Sequence, residues 1–247
     1  MSEQIIYGLH AVTALLNQGQ RVVNKLLLNA ERHDQRVQLL LELALARNIA
    51  IERLTAQQMN QRFPQSKHQG VVAYVGELPN FNEGNLTSLL QKSKKPPLLL
   101  ILDSVTDPHN LGACLRTADA TGVDFVILPK DKSANLTPIV SKVACGAAET
   151  IPLVRVTNLV RTLEALKKEG FWIYGAAGEA SDTIYTLDFK VPIALVFGAE
   201  GHGMRRLTRE HCDALFSIPM IGSVESLNVS VAAAVSLYEV LRQRTTN

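Results

Sequence analysis

PPLLLILDSVTDPHNLGACLRTA, Pro96 to Ala118, carries the pattern from which the rest of the chain can be parsed. Leu98 to Leu102 is a continuous apolar run of strand length, the signature of a strand buried on both faces. The run then stops at a dense polar loop. Asp107-Pro108 is a turn signal, and Asn110 is a residue type that caps helices, so a helix is predicted over Leu111–Thr121. Gly112 permits a close backbone approach. Arg116 lies about one to two turns into that helix and can share a face with the loop.

The same alternation continues downstream. Strands are predicted at Phe125–Leu128, Phe171–Ala176 and Ile193–Phe197, with a shorter one at Ser217–Pro219. Helices are predicted at Pro138–Ala144, Leu159–Glu169 and Met204–His211, and a last one with an Ala/Val/Leu stripe at Val229–Arg244. Short apolar strands alternating with helices imply a parallel sheet covered on both faces. Upstream, Gly76 to Pro97 reads as a linker. It carries Pro79, Gly84, Pro96 and Pro97, the solvated lysines Lys92, Lys94 and Lys95, and a short helix at Leu86–Gln91. Before it, helices are predicted at Ile6–Asn17, Gln35–Arg47 and Ala56–Arg62, and strands at Lys25–Leu28, Ile49–Leu54 and Val71–Val75. The expected organisation is a small α/β domain over 1–76, a linker over 77–96 and a larger α/β domain over 97–247.

Composition limits the function without choosing it. With 47% hydrophobic and 19% charged residues in 247, the chain can build a core and is not disordered. The longest apolar run, Leu98–Leu102, is too short to span a bilayer, and Met1 to Gln20 shows no secretory leader, so a soluble cytoplasmic protein is expected. Cys114, Cys145 and Cys212 form no C-x-x-C pair and read as structural thiols, and no His/Cys cluster has zinc spacing. A formal charge of +2 leaves nucleic-acid binding to a local basic surface.

Ligands of open α/β sheets bind at the carboxyl ends of the strands, so the loops there hold the candidate chemistry. The first runs from Asp103 to Ala118. The second, Gly198 to Arg206, reads GAEGHGMRR, with three glycines that let the backbone fold against a flat ligand. Its spacing is not that of a dinucleotide fingerprint, which disfavours a nucleotide-dependent oxidoreductase. Glu200 within it disfavours a pyrophosphate and suits a cationic or neutral polar ligand. The third, Ile218 to Ser230, reads IPMIGSVESLNVS, and Ser226 and Asn228 are good N-cap types. Together the loops offer backbone amides, a carboxylate, an arginine and amide or hydroxyl side chains. They hold no Ser-His-Asp order, P-loop or metal box, which suits transfer of a group supplied by a cofactor.

These loops resemble the three motifs of the SpoU branch of the SPOUT RNA methyltransferases. The first motif is matched by Asp107-Pro108-x-Asn110-x-Gly112-x-x-x-Arg116, and the second by Gly198-x-Glu200-Gly201-x-Gly203. The third is matched by Ile218-Pro219-Met220 followed by Ser226-Leu227-Asn228-Val229-Ser230. Tyr7-Gly8-x-His10-Ala11-Val12 and His68-Gln69-Gly70-Val71 resemble a substrate-binding domain found in part of that family. The resemblance implies a ribosomal-protein-like α/β first domain and a SPOUT α/β second domain, with a parallel sheet and a deep trefoil knot. It implies S-adenosyl-L-methionine as methyl donor, no metal, and a homodimer with its site near the subunit interface. Its substrate would be the ribose 2'-hydroxyl of a guanosine in the peptidyl-transferase P loop of 23S rRNA, with no DNA or membrane partner. A tRNA ribose methyltransferase is the alternative, and a non-enzymatic RNA-binding assembly factor a more distant one. Arg116 would activate the hydroxyl, supported by Asn110, Glu200, Ser226 and Asn228. Gly198, Gly203, Ile218, Met220 and Leu227 would bind the cofactor. His10, Lys67, His68, Arg205 and Arg206, with Arg209, would meet the RNA.

Overall fold

The computed structural model describes residues 4–18, 21–64, 66–93 and 96–246; Lys94 and Lys95 lie outside them. The chain forms two compact units, Met1–Pro79 with Cys145–Thr150, and Asn80–Ala144 with Ile151–Asn247.

The first unit contains β1 (Gln4–Tyr7), α1 (Leu9–Gln18), β2 (Val23–Asn29), α2 (Gln35–Ala46), β3 (Ala50–Leu54), α3 (Ala56–Arg62) and β4 (Val71–Val75). Its sheet has the order β1-β4-β2-β3, antiparallel except for β2 against β3. Strand periodicity sorts the side chains. Leu26, Leu28, Val71 and Ala73 join Val12, Leu15 and Leu16 of α1 and Leu40 of α2 in one core. Leu27 and Val72 point the other way, against Met59 of α3. A helix expected from Ile6 is corrected here. Ile6 pairs with Ala73 in a ladder, and Gly8, at φ +95°, separates that strand from α1. Burial of Ile6 in the sheet outweighs the helical spacing it shares with Leu9.

The second unit contains β5 (Phe81–Asn82), α4 (Leu86–Leu90), β6 (Leu98–Asp103), α5 (Pro108–Thr121), β7 (Phe125–Pro129) and α6 (Pro138–Val143). The short α7 (Ala147–Thr150) belongs to the first unit. The second unit then continues through β8 (Leu153–Val156), α8 (Leu159–Lys168), β9 (Trp172–Ala176), β10 (Ile193–Gly198), α9 (Arg206–Glu210), β11 (Ala214–Phe216) and α10 (Val229–Thr245). Its seven strands lie in the order β11-β9-β10-β6-β7-β8-β5, and every pairing is parallel.

The central strands are buried throughout, as their unbroken apolar runs require. Leu99, Ile101, Ile127 and Val196 face Leu159, Leu163 and Leu166 of α8. α10 packs against α5 and β10. The expected linker holds structured chain, because Phe81 and Asn82 add a strand beside β8, and Leu86 and Leu89 enter the core. β8 itself was not foreseen; Arg155 interrupts its apolar run. The strand expected at Ser217–Pro219 lies instead at Ala214–Phe216, where the ladder with β9 forms; Pro219 has no N–H to donate. The helix expected over Met204–His211 contracts to α9, since Arg205 has extended backbone at its start.

Arg244, near the end of α10, closes the amino-terminal edge of the sheet. Its guanidinium donates to the carbonyls of Pro96, Pro97, Phe189 and Val191, at 2.6 to 3.3 Å. Those carbonyls flank the entries to β6 and β10. Arg244→Ala is expected to lower unfolding free energy by about 2 kcal/mol through the loss of charge-assisted hydrogen bonds. Urea denaturation followed by circular dichroism checks it, and an unchanged midpoint would assign α10 docking to apolar packing alone.

Candidate functional site

Parallel strands place all three motif loops at one edge of the sheet. β6 leads into the loop before α5, β10 into the glycine loop, and β11 into the segment before α10. β6 and β10 are neighbours, whereas β11 lies beyond β9. The segment after β11 therefore returns across the ends of β9 and β10 to reach the other two loops.

The meeting point is Asn228. It caps α10, its Oδ1 accepting from the backbone N–H of Ser230 at 2.9 Å and from the Ser230 hydroxyl at 2.6 Å. With Oδ1 committed to donors, Nδ2 must face acceptors. It donates to Oδ1 of Asn110 at 2.9 Å and to Oε1 of Glu200 at 2.8 Å. One carboxamide thus joins a residue from each loop. Nδ2 of Asn110 and Oε2 of Glu200 have no hydrogen-bond partner among the described residues, so the cluster presents one open donor and one open acceptor.

Asn110 is free for this role because it is not the helix cap. Asp107 caps α5, accepting from the N–H groups of His109 and Asn110, and Pro108 fills the first helical position. Gly112 is where α5 meets α6: a Cβ there would lie 2.7 Å from that of Val143.

The glycine loop is a tight hairpin. Ala199 and Gly203 exchange backbone hydrogen bonds, Ala199 N–H to Gly203 O at 3.1 Å and Gly203 N–H to Ala199 O at 2.9 Å. A Cβ on Gly198 would sit 2.0 Å from the carbonyl carbon of Gly203, so only glycine fits. Gly203 has φ +66°, a conformation that L side chains rarely adopt. In the third loop Ile218 and Leu227 are half-buried, while Met220 and Ser226 are exposed. Ile221 and Val224 beside them are also exposed.

Arg116 is not brought to this cluster. The step from Asn110 to Arg116 leaves it about two-thirds of a turn round the helix axis, on the exposed stripe with His109. It has no hydrogen-bond or ion-pair partner among the described residues. The expected shared face is therefore corrected by helical geometry. His68, expected at the RNA, is buried. Its Nδ1 accepts from the Gly70 N–H at 2.9 Å and its Nε2 faces Oδ1 of Asn60 at 3.0 Å, so both ring nitrogens are engaged within the fold. His10 and Lys67 are exposed on the same unit. Arg206 pairs with Glu210 at 2.6 Å on α9, and Arg209 pairs with Glu179.

Arg205 is held by a residue that sequence reasoning passed over. Asp103, the last residue of β6, is fully buried and accepts from both the backbone N–H and the Nε of Arg205. Its only sequence signal is an acid closing an apolar strand. Burial pushes the thiols of Cys114 and Cys212 up to about 12, so neither is a thiolate nucleophile at neutral pH. Among the described residues no group of three His, Cys, Asp or Glu could hold a metal ion, and no helix is long and apolar enough to cross a membrane.

The chain is similar to known proteins along both units. Residues 97–238 match the SpoU rRNA Methylase family model, and residues 5–81 match the model for RNA 2'-O ribose methyltransferase substrate binding. The chain is 58% identical over 240 residues to the Pseudomonas aeruginosa 23S rRNA (guanosine-2'-O-)-methyltransferase RlmB, covering 97% of this chain and 96% of that protein. Among solved structures it is similar to the SpoU methyltransferase AviRb from Streptomyces viridochromogenes in complex with AdoMet. The TM-score is 0.80 at 26% identity, covering 98% of this chain and 90% of that one. It also resembles the A. aeolicus TrmH/SpoU tRNA modifying enzyme, at TM-score 0.56 and 32% identity, over 66% of this chain and 83% of that one.

The hairpin makes a backbone prediction. Gly198→Ala should speed amide exchange at Ala199 and Gly203 by at least about tenfold, as the hairpin opens to admit the methyl group. Parent-like protection in exchange mass spectrometry would mean that the loop has room the geometry denies.

Proposed function

Because the chain belongs to the SpoU rRNA methylase family, we propose that it transfers the methyl group of S-adenosylmethionine to the ribose 2'-hydroxyl of a guanosine in 23S rRNA, in the peptidyl-transferase P loop. The observation that carries this reading is the Asn228 carboxamide joining Asn110 and Glu200 beside a glycine hairpin. Similarity to the RlmB protein runs through both units, whereas the tRNA-modifying neighbour matches only part of the chain. That difference favours ribosomal RNA over tRNA. The work would take place in the cytoplasm, where ribosomal RNA is made.

The loops fit the cofactor by their chemistry. The site carries a carboxylate and open backbone, and among the described residues no cationic side chain is bonded to the Asn110–Asn228–Glu200 cluster. Such surroundings suit a sulfonium better than a phosphate. Gly198, Gly203, Ile218, Met220 and Leu227 would hold it. When bound, the cofactor supplies a methyl group on a positively charged sulfur. The protein must align the 2'-oxygen with that methyl and help the hydroxyl lose its proton. Arg116 presents only N–H donors and no acceptor, so it cannot itself take the proton. It orients the hydroxyl through the adjacent phosphate instead. The open Nδ2 of Asn110 and Oε2 of Glu200 hold the nucleotide, and Ser226 borders the same loop. His10, Lys67 and Arg206 are the exposed candidates for RNA contacts, which makes binding salt-dependent.

Arg116 reaches a cluster it does not face by acting on that of a second copy. A homodimer accounts both for this unpaired arginine and for the exposed apolar Met220, Ile221 and Val224.

Radiolabelled methyl transfer to protein-free 23S rRNA and to bulk tRNA tests the substrate. A single modified guanosine in the P loop is expected, and transfer to tRNA alone would overturn it. Arg116→Ala should lower turnover at least about a hundredfold while cofactor affinity stays within about twofold. Mixing Arg116→Ala with Glu200→Ala subunits should restore up to about a quarter of parental activity, because half of randomly paired dimers regain one intact site. An inactive mixture of exchanged dimers would place each arginine in its own subunit's site.

A further inference from the structure

We infer that Asp103 and Arg205 form a positioning clamp that sets the glycine hairpin, and that Arg205 serves this clamp rather than an RNA phosphate. This rests on the methyltransferase reading only for its effect on the cofactor. Asp103 has no solvent exposure, and its charge must be met inside the protein. Oδ2 accepts from the Arg205 backbone N–H at 2.9 Å, and Oδ1 from Arg205 Nε at 2.7 Å. The Ser104 hydroxyl adds a longer bond to Oδ1 at 3.3 Å. A backbone donor and a side-chain donor from one residue fix both the position and the rotation of the chain at that point.

The location gives the clamp its consequence. Asp103 stands opposite Gly198 in the β6–β10 ladder, and Arg205 follows the hairpin closed by Ala199 and Gly203. The glycine loop is thus pinned at both feet, by the ladder at Gly198 and by the carboxylate at Arg205. Asp103 also begins the loop that leads to Asn110. The two loops are joined at their base by the clamp and at their tips by Asn228. Asparagine cannot replace the aspartate, because its NH2 would face one of two donors.

The first test is hydrogen exchange of the cofactor-free protein. Asp103→Asn should raise exchange in the segment from Ala199 to Arg205 at least about tenfold, and raise the calorimetric Kd for S-adenosylmethionine by a similar factor. Exchange and Kd both within twofold of the parent overturn the clamp. Arg205 is half-exposed, so Arg205→Ala provides a second variant if Asp103→Asn does not fold. It should loosen the hairpin and leave the salt dependence of RNA binding unchanged. A slope of log affinity against log salt reduced by about 0.7 to 0.9, with the hairpin still protected, would instead make Arg205 a phosphate contact. If the parent protein binds no S-adenosylmethionine, the functional reading fails, and the exchange result alone decides the clamp.

Discussion

A carboxamide has two donors on one side and one acceptor on the other, and the site depends on how Asn228 is made to use them. Ser230 supplies both a backbone and a hydroxyl donor to Oδ1, which forces the NH2 group toward Asn110 and Glu200. The cap of α10 and the geometry of the site are therefore the same set of bonds. Aspartate at this position could still cap the helix, but it would turn an oxygen toward the Glu200 carboxylate. The packing of α10 on α5 and the guanidinium of Arg244 at the opposite edge hold the helix that carries this side chain.

The parallel sheet was legible because its strands are apolar without interruption. Leu98–Leu102 and Ile193–Phe197 admit no half-exposed face, and helices between such strands leave a crossover as the economical topology. The strands that were missed or misplaced are those lacking such a run. β5 has two residues, β8 carries Arg155, and β11 is a short edge segment adjoining polar residues. In each, the neighbouring strand supplies the order, and neighbours are not visible in a local window.

The site was legible at its motif residues and illegible in their partnerships. Asn110, Glu200 and Asn228 were read from loop chemistry, yet the bond that joins them spans residues 118 apart in sequence. Arg116 is expected to share a face with the loop, and helical rotation turns it away from Asn110. His68 is placed at the RNA by family resemblance alone; its two engaged nitrogens could be found only in three dimensions. Asp103 was hidden for the opposite reason. A lone acid at a strand end carries no motif, and its importance appears only once it is seen to be buried.

The closure around Gly198 bears on how this gene can change. Every single-nucleotide missense change in a glycine codon installs at least a Cβ, and here that atom would fall 2.0 Å from the main chain of Gly203. The obstruction is backbone, so no rotamer of a neighbouring side chain can relieve it. His202, in the same turn, is exposed and can drift. The hairpin is thus a stretch where genetic tolerance alternates over a few codons, set by main-chain contact at one position and open solvent at another.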